Sequence, residues 1–389
     1  MKRIPLIWRI VLAIGLGIAV GAVMPHAGMR LLKTFNVLFA QVLKFIVPLL
    51  ILGLVTPAIA DAGKGAGKML ALVMILSYVS TCCAALFGYG CATQLLPHYV
   101  EAGSVAAQGT VEAIKPFVEL KIPPVCDVLS ALALAFMVGV GCIVTGSERL
   151  RGVFVDFGAI VTLTIKHVII PGIPIYILTM IAEMTATGRI GAMAGTMVKV
   201  IGTGWSLTIV FLVILYVLAG ALARKNPLRV LWNMCPAYLT ALSVASSSAV
   251  IPVTLDCCRK NGISEGVTNF VVPLCANVHM VGSAIKLMVS LWAVTIIYSL
   301  DVSFGQILHF SLLFAIAAVA APGVMCGVLM ASIGFVESII GLTPEQISVF
   351  MTFYMAFDGY GPAANVTGDG AIALVADAVS GRFRCRTSL

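Results

Sequence analysis

The most chemically distinctive part of the sequence is an apolar stretch near its C-terminal end that contains two aspartates. Asp358, Gly361, Pro362, Asn365 and Asp369 follow the spacing i, i+3, i+4, i+7 and i+11, which places them on one face of a helix. Two carboxylates and an amide on such a face, beside glycines that interrupt helices, suit the binding of a cation or an ammonium group. The alternative is that the carboxylates pair with nearby lysines and hold neighbouring helices together.

A second polar face lies in the apolar stretch around residues 266–299. His279, Ser283 and Lys286 lie at i, i+4 and i+7, and Gly282 offers a break in the helix. A lone histidine on an apolar helix is more often a core residue than a ligand. Ionisable residues inside a membrane are costly and usually functional, so Lys286 at a similar depth favours a functional role for this face.

Each polar face follows a stretch that is apolar at both ends and interrupted in the middle. Residues 228–258 have three serines at their centre, and residues 304–342 have a Pro-Gly pair. Backbone that leaves the helix at membrane depth is tolerated only where it is buried in protein or lines a polar cavity. Both stretches are therefore predicted to be re-entrant hairpins.

The repeated order of hairpin and polar span indicates a transporter, because duplicated interrupted segments mark a binding site at the bilayer midplane. Hairpin tips expose helix N-terminal N–H groups, which can receive a carboxylate. Asp358 then offers a partner for an α-ammonium group. The sequence therefore predicts a carboxylate-bearing substrate, with an amino acid as the natural choice.

Eight long apolar runs, two of which carry the polar faces, must position these groups. Each is near or above the about 20 residues that a helix needs to cross a bilayer. Of the 389 residues, 60% are hydrophobic and 10% are charged, whereas soluble domains carry about 25% charged residues. The sequence predicts an all-α membrane protein with two re-entrant hairpins, inverted repeats and eight transmembrane helices near residues 5–24, 34–60, 66–96, 126–147, 153–182, 195–223, 266–299 and 346–379.

The net charge of +8 has a topological explanation. If the spans alternate from a cytoplasmic N-terminus, fifteen lysines and arginines lie inside and five lie outside, as the positive-inside rule requires. Both termini are then cytoplasmic, the protein is a multi-pass protein of the cell membrane, and no nucleic acid partner is needed.

Several function classes are disfavoured by what the sequence contains. It has no HExxH, GxSxG or Walker motif, which are the signatures of common hydrolases and nucleotide-driven proteins. The main water-facing segment, residues 97–125, is predicted to be an extracellular loop and is too short for a catalytic domain. The protein is therefore not expected to be an enzyme, and its expected partners are membrane lipid and a small-molecule substrate. An ion channel and a purely structural membrane protein are the alternatives to a transporter.

Three motifs resemble the dicarboxylate/amino acid:cation symporters, the glutamate-transporter family. They are SSSAVIPVTLDC followed by NGIS at residues 246–264, the VPL that opens the seventh span, and NVTGD at residues 365–369. The likeness extends over essentially the whole chain. It implies a homotrimer with an elevator fold, in which a transport domain slides against a scaffold.

The resemblance also implies a division of the single integral membrane domain, residues 1–389. The scaffold would comprise residues 1–60 and 126–192, and the transport part would comprise residues 61–96 and 193–380. Residues 381–389 would form a cytoplasmic tail.

The same resemblance implies which residues bind the substrate. The two hairpin tips would hold its carboxylate, and Asp358 would take its ammonium group. The candidate substrate-binding residues are Ser246, Ser247, Ser248, Lys286, Ala321, Pro322, Gly323, Asp358, Gly361, Pro362 and Asn365.

Cation sites built from oxygen ligands are implied as well. Asp369 and Asn365 match residues that would hold sodium, and Ser80 and Thr81 align with hydroxyl residues of another sodium site. No cofactor is expected beyond the coupling ion, Na⁺ or H⁺. The candidate cation-binding residues are Ser80, Thr81, Asn277, His279, Asn365 and Asp369.

Departures from the family pattern leave the substrate and the ion open. Gly361 and Ala245 stand where acidic-substrate members have an arginine, and HMVGS at residues 279–283 lacks a sodium-binding acid. We favour a neutral amino acid substrate, because the side-chain pocket lacks its arginine. In the alternative, Lys286 replaces that arginine and the substrate is an acidic amino acid or a dicarboxylate, although lysine binds carboxylates less specifically. Fewer sodium ions per cycle than usual, or proton coupling, are expected.

Overall fold

The protein is almost entirely helical. The structure is a computed structural model that describes residues 6–62, 67–103, 114–118, 120, 122–126, 128–188, 190–320, 327–356 and 358–386. Within these ranges the chain forms helices and no β-strand, which confirms the predicted all-α class. The predicted hairpin tip at Ala321, Pro322 and Gly323 lies outside the described residues.

The first half of the chain forms long helices that correspond to the first six predicted spans. A π-helical turn at Ile165–Ile169 joins two of them into one continuous helix. Pro171 and Pro174 follow that turn directly, and proline lacks the backbone N–H that a regular helix needs. The helices are α1 (Leu6–Val23), α2 (His26–Ala62), α3 (Gly67–Leu95), α4 (Val128–Thr145), α5 (Glu148–Thr164), α6 (Ile170–Ala186) and α7 (Ile190–Ala223).

The second half consists mostly of shorter helices separated by turns and breaks, and it ends in the 27-residue α16. The helix bounds agree with the two predicted hairpins and with two interrupted spans. The helices are α8 (Pro227–Trp232), α9 (Cys235–Val244), α10 (Ile251–Lys260), α11 (Glu265–Val278), α12 (Val281–Ile297), α13 (Phe304–Ala320), α14 (Gly327–Phe335), α15 (Pro344–Met355) and α16 (Tyr360–Arg386).

The first hairpin is formed by α9 and α10. It reverses at Ala245, which has a left-handed backbone with φ 52° and whose N–H bonds to the carbonyl of Ala241 at 2.8 Å. A left-handed residue is a common way to end a helix, although it is costly for a residue with a side chain. The tip therefore follows a sharp helix end. In the second hairpin, α13 and α14 pack against each other.

The break in the seventh span lies at different residues from the one expected. The chain leaves the helix at His279 and Met280, whereas Gly282 was predicted to offer the break and lies inside α12. Asp358 lies in the break between α15 and α16. It therefore does not share one continuous helical face with Asn365 and Asp369, and the predicted spacing argument is wrong at this residue.

The two broken spans are packed in the interior. Helix α12 contacts α3, α7, α15 and α16, while α16 also contacts α7, α9 and α11. On the other side of the protein, α1 packs on α6, and α2 packs on α4, α5 and α6. The division into a scaffold and a transport part stays a prediction. Helix α16 continues to Arg386, into the segment that was expected to be a tail.

Large apolar surfaces face outward, as expected for a membrane protein. In the described part of the chain, four helical segments are long and apolar enough to cross a membrane: Met69–His98, Glu148–Ala186, Gly195–Ala223 and Glu265–Ile297. Apolar side chains on the second and third of these segments are exposed, among them Val153, Ile160 and Leu218. The Glu265–Ile297 segment is by contrast mostly buried, so the polar groups of α12 lie inside the protein.

Candidate functional site

Asn365 joins the two broken spans. Its Oδ1 accepts hydrogen bonds from the backbone N–H groups of Gly282 at 2.8 Å and Ser283 at 3.2 Å. Its Nδ2 donates to the Ser283 Oγ at 3.0 Å. The first N–H groups of a helix have no partner within that helix, so Asn365 of α16 caps the start of α12.

Glycines allow this close approach of α12 and α16. A Cβ at Gly282 would lie 2.4 Å from the carbonyl oxygen of Gly361 and 2.5 Å from the Ala364 Cβ. Both distances are shorter than van der Waals contact, so a side chain at this position would separate the helices. Gly282 thus serves packing rather than the helix break predicted for it.

Lys286 and Asp358 form a buried ion pair at this junction. The Lys286 Nζ donates a hydrogen bond to the Asp358 Oδ1, and their side chains are 0% and 11% exposed. The Nζ also lies 3.7 Å from the centre of the Tyr354 ring and 5.5 Å from that of Tyr360. An ammonium group without a partner is costly to bury, so this pairing accounts for a lysine in the core.

The pairing bears on both roles expected for these two residues. The carboxylate of Asp358, expected to take a substrate ammonium, already holds the ammonium of Lys286. A Cβ at Gly361 would lie 3.7 Å from the Lys286 Nζ and 3.4 Å from the Ser283 Oγ. The lysine ammonium therefore lies beside Gly361, one of the two positions where acidic-substrate members were expected to carry an arginine. Asp358 therefore fits the alternative stated from the sequence, in which the carboxylate pairs with a nearby lysine.

His279 and Asp369 form a second buried pair. The His279 Nδ1 lies 3.1 Å from the Asp369 Oδ1, and its Nε2 lies 3.1 Å from the Ser80 Oγ. Next to them, the Thr81 Oγ1 accepts from the N–H of Met280 at 3.3 Å. A Cβ at Gly368 would lie 2.8 Å from the His279 Cε1, so this glycine makes room for the ring.

The carboxylate of Asp369 uses only one of its two oxygens in the pair with His279. The Asp369 Oδ2 is buried and has no hydrogen-bond partner among the described residues. Buried polar atoms without a partner are rare and are often completed by a water or an ion. The hydroxyls of Ser80 and Thr81 contact the His279 Nε2 and the N–H of Met280 in the same part of the fold, and oxygen ligands of these kinds suit Na⁺.

The serine tip of the first hairpin lies against the same region. A Cβ at Gly359, the residue after Asp358, would lie 2.3 Å from the carbonyl oxygen of Leu242 in α9. Ser247 is buried, while Ser248 is exposed and donates from its Oγ to the Asn277 Oδ1 at 3.5 Å. The tip therefore contacts α11. The helix that leads to the tip, α9, contacts the chain next to Asp358.

The structure thus brings half of the sequence-predicted residues into two adjoining groups. Lys286, Asp358 and Gly361 form one, and Ser80, Thr81, His279, Asn365 and Asp369 form the other. Pro362 lies on the first turn of α16 and is partly exposed. Sequence reasoning missed Tyr354 and Tyr360; the signal was their position four residues before and two residues after Asp358.

The sequence profile of the sodium:dicarboxylate symporter family matches residues 6–379. Excitatory amino acid transporter 3 of Mus musculus is 35% identical over 164 residues, which is 42% of this chain and 31% of that protein. The Bos taurus protein of the same name is 30% identical over 255 residues, 62% of this chain and 47% of that protein.

A third relative gives a similar result. Excitatory amino acid transporter 1 of Ambystoma tigrinum is 31% identical over 201 residues, which is 51% of this chain and 36% of that protein. The chain spans less than half the length of each of these curated relatives.

Proposed function

This chain belongs to the sodium:dicarboxylate symporter family, and from that premise we propose that it is a secondary active symporter. It would carry a small carboxylate-bearing solute across the cell membrane together with a cation. The observation that carries the proposal is the buried junction of two interrupted spans, where His279, Lys286, Asp358, Asn365 and Asp369 meet in an apolar interior. Burying ionisable side chains inside a membrane protein costs free energy, so such a junction suits a binding site at the bilayer midplane better than a purely structural core.

The solute carboxylate would bind at the hairpin tips. Ser246, Ser247 and Ser248 offer hydroxyl donors, and backbone N–H groups at the start of α10 add a positive helix end. Ala321, Pro322 and Gly323 would complete the cradle from the second hairpin, as the family resemblance implies. An elevator movement within a homotrimer belongs to the same proposal.

The cation would bind beside Asp369. The unpartnered Oδ2 of Asp369 supports this placement. Asn365 is the second residue proposed for this site, and the hydroxyls of Ser80 and Thr81 would serve the other sodium site that the family resemblance implies. Na⁺ is the coupling ion that the family name implies. Because His279 occupies space next to Asp369, we propose that fewer sodium ions bind per cycle than the family pattern implies, with H⁺ as the alternative ion.

Two kinds of substrate remain within this proposal. A neutral amino acid, favoured from the sequence, requires Asp358 to exchange Lys286 for the substrate ammonium. A dicarboxylate or acidic substrate is supported by the place of the Lys286 Nζ beside Gly361. An acidic amino acid would need the same exchange at Asp358 as a neutral one, so the Lys286–Asp358 pair favours the dicarboxylate among these substrates.

Uptake into proteoliposomes tests the function. Purified protein is reconstituted and given labelled succinate, aspartate, alanine or serine under an inward Na⁺ gradient, an inward H⁺ gradient or none. We expect accumulation above the equilibrium level, driven by a cation gradient, and saturable counterflow of at least one of these solutes. Flux that only equilibrates, without counterflow, would instead indicate a channel and refute the proposal.

A further inference from the structure

The ion pair of Lys286 and Asp358 resembles, in its chemistry, an amino acid ammonium bound to an acidic residue. A primary ammonium group on an alkyl chain donates a hydrogen bond to a buried carboxylate. We propose that Lys286 supplies, from within the protein, the ammonium that Asp358 would otherwise take from a substrate. The site then selects carboxylates that carry no α-ammonium group. This inference rests on the proposed symport function and names its substrate class.

Burial favours a stable ion pair at this site over separated charges. The Lys286 side chain is fully buried, while a small part of Asp358 remains exposed. Lys286 belongs to α12, and almost all residues of that helix are buried. Its ammonium group faces the Tyr354 ring. An aromatic face attracts a cation, so the surroundings hold the ammonium where it is.

The other described acids on the helices that pack most extensively on α12 already have hydrogen-bond partners. In the helices that contact α12, the remaining acids are Glu345, Asp369 and Asp377. They are hydrogen-bonded to Tyr298, His279 and Ser264 respectively. A substrate ammonium would therefore have to leave a buried lysine without a counter-ion, which is strongly unfavourable.

Charge balance leads to the same substrate class. The ion pair is neutral as a unit, so the approach to Asp358 presents no net negative charge to attract an α-ammonium. The serine tip follows α9, which approaches Gly359 at Leu242, and its serine hydroxyls are groups that could donate to a carboxylate if Ser248 exchanged its bond to Asn277. A carboxylate without an amino group satisfies these donors and leaves the ion pair intact.

Binding of matched ligand pairs tests the inference. Succinate and aspartate differ by one α-ammonium group, as do propionate and alanine. Each is titrated into the full-length protein in nanodiscs, with the rise in apparent melting temperature as the readout. We expect at least one des-amino ligand to bind tenfold or more tightly than its amino acid partner. An amino acid that binds as tightly as its des-amino partner overturns the inference.

Variants of Lys286 and Asp358 test whether the ion pair causes this preference for des-amino ligands. Lys286→Met removes the ammonium and frees Asp358, so its binding of aspartate or alanine should rise at least tenfold relative to the des-amino partner. Adding Asp358→Asn to this variant should abolish the gain. Lys33→Met is the matched control, because it breaks another lysine–carboxylate pair, with Glu183 at 2.7 Å, and should leave the preference unchanged. If Lys286→Met folds and shows no such gain, the inference is wrong.

Failure of the inference and failure of the proposed function give different results. Preferential binding of an amino acid, followed by its cation-driven uptake, refutes the inference and supports symport. Preferential binding of a des-amino carboxylate without cation-driven uptake supports the inference and refutes symport. If Lys286→Met does not fold, the comparison of ligand pairs on the unmodified protein still decides. If the folded protein binds no member of either pair, the inference is refuted, and the uptake assay decides symport by itself.

Discussion

Replacing Asp358 by asparagine leaves the ammonium of Lys286 buried without its carboxylate. The lysine side chain is 0% exposed, so water cannot take the place of the lost charge. Breaking one side of a buried ion pair costs about 3–5 kcal/mol. The Tyr354 ring, 3.7 Å from the Nζ, remains and offsets part of this loss. We therefore expect Asp358→Asn to lower the free energy of unfolding by about 3 kcal/mol.

A double-mutant cycle isolates the contribution of the pair. Lys286→Met keeps most of the stem volume and removes the charge. The variant that carries both substitutions should lose at least about 1 kcal/mol less than the two single losses added together. The free energy is measured by equilibrium unfolding in mixed micelles of dodecyl maltoside and sodium dodecyl sulfate.

Lys33 and Glu183 provide the control for burial. Their side chains are 21% and 23% exposed, and ion pairs with access to solvent contribute only about 0–1 kcal/mol. Lys33→Met should therefore cost little. If Asp358→Asn costs no more than Lys33→Met, or if the cycle shows no coupling, the assignment of Lys286 and Asp358 as a buried pair is refuted.

Three further substitutions test the junction of the broken spans. Asp369→Asn should reduce cation-driven uptake at least tenfold, measured as initial rate against Na⁺ concentration, because it removes the charge that the proposed cation binds; an unchanged ion dependence would contradict this role. Gly282→Ala should lower the free energy of unfolding by about 1–3 kcal/mol, because its Cβ meets the Gly361 carbonyl at 2.4 Å. Gly266→Ala, where the added Cβ meets nothing within 4 Å, should be neutral or slightly stabilising. Asn365→Ala should cost about 1–3 kcal/mol by leaving buried N–H groups of α12 unpaired, and a smaller loss in the same unfolding measurement would contradict the capping role.

Much of the architecture follows from local sequence. Long apolar runs, separated by charges and turns, predict the spans because the bilayer fixes their length. The serine cluster and the Pro-Gly pair predict the two hairpins because they interrupt apolar segments. These signals are contained within a few consecutive residues, which is why they can be recognised without a structure.

The contacts at the site depend on distant parts of the chain and are less predictable. The spacing argument for Asp358 assumed an unbroken helix, whereas the break before Tyr360 moves Asp358 off that face. The start of α12 is set by Asn365, which lies 83 residues beyond Gly282. The sequence singled out His279, Lys286 and both aspartates, but only the packing of α12 on α16 decides which base meets which acid.

The order in which the chain is made gives the Lys286–Asp358 pair a consequence for membrane insertion. Lys286 is synthesised 72 residues before Asp358, so α12 reaches the membrane while its counter-ion is still untranslated. A lysine at the centre of an inserting helix costs roughly 2.5–3.5 kcal/mol. The nascent protein carries this cost until Asp358 is made, and a chain that stops before Asp358 keeps an unneutralised lysine within the membrane. Synthesis of the break between α15 and α16, where Asp358 lies, is therefore the step that supplies the missing charge to the insertion intermediate.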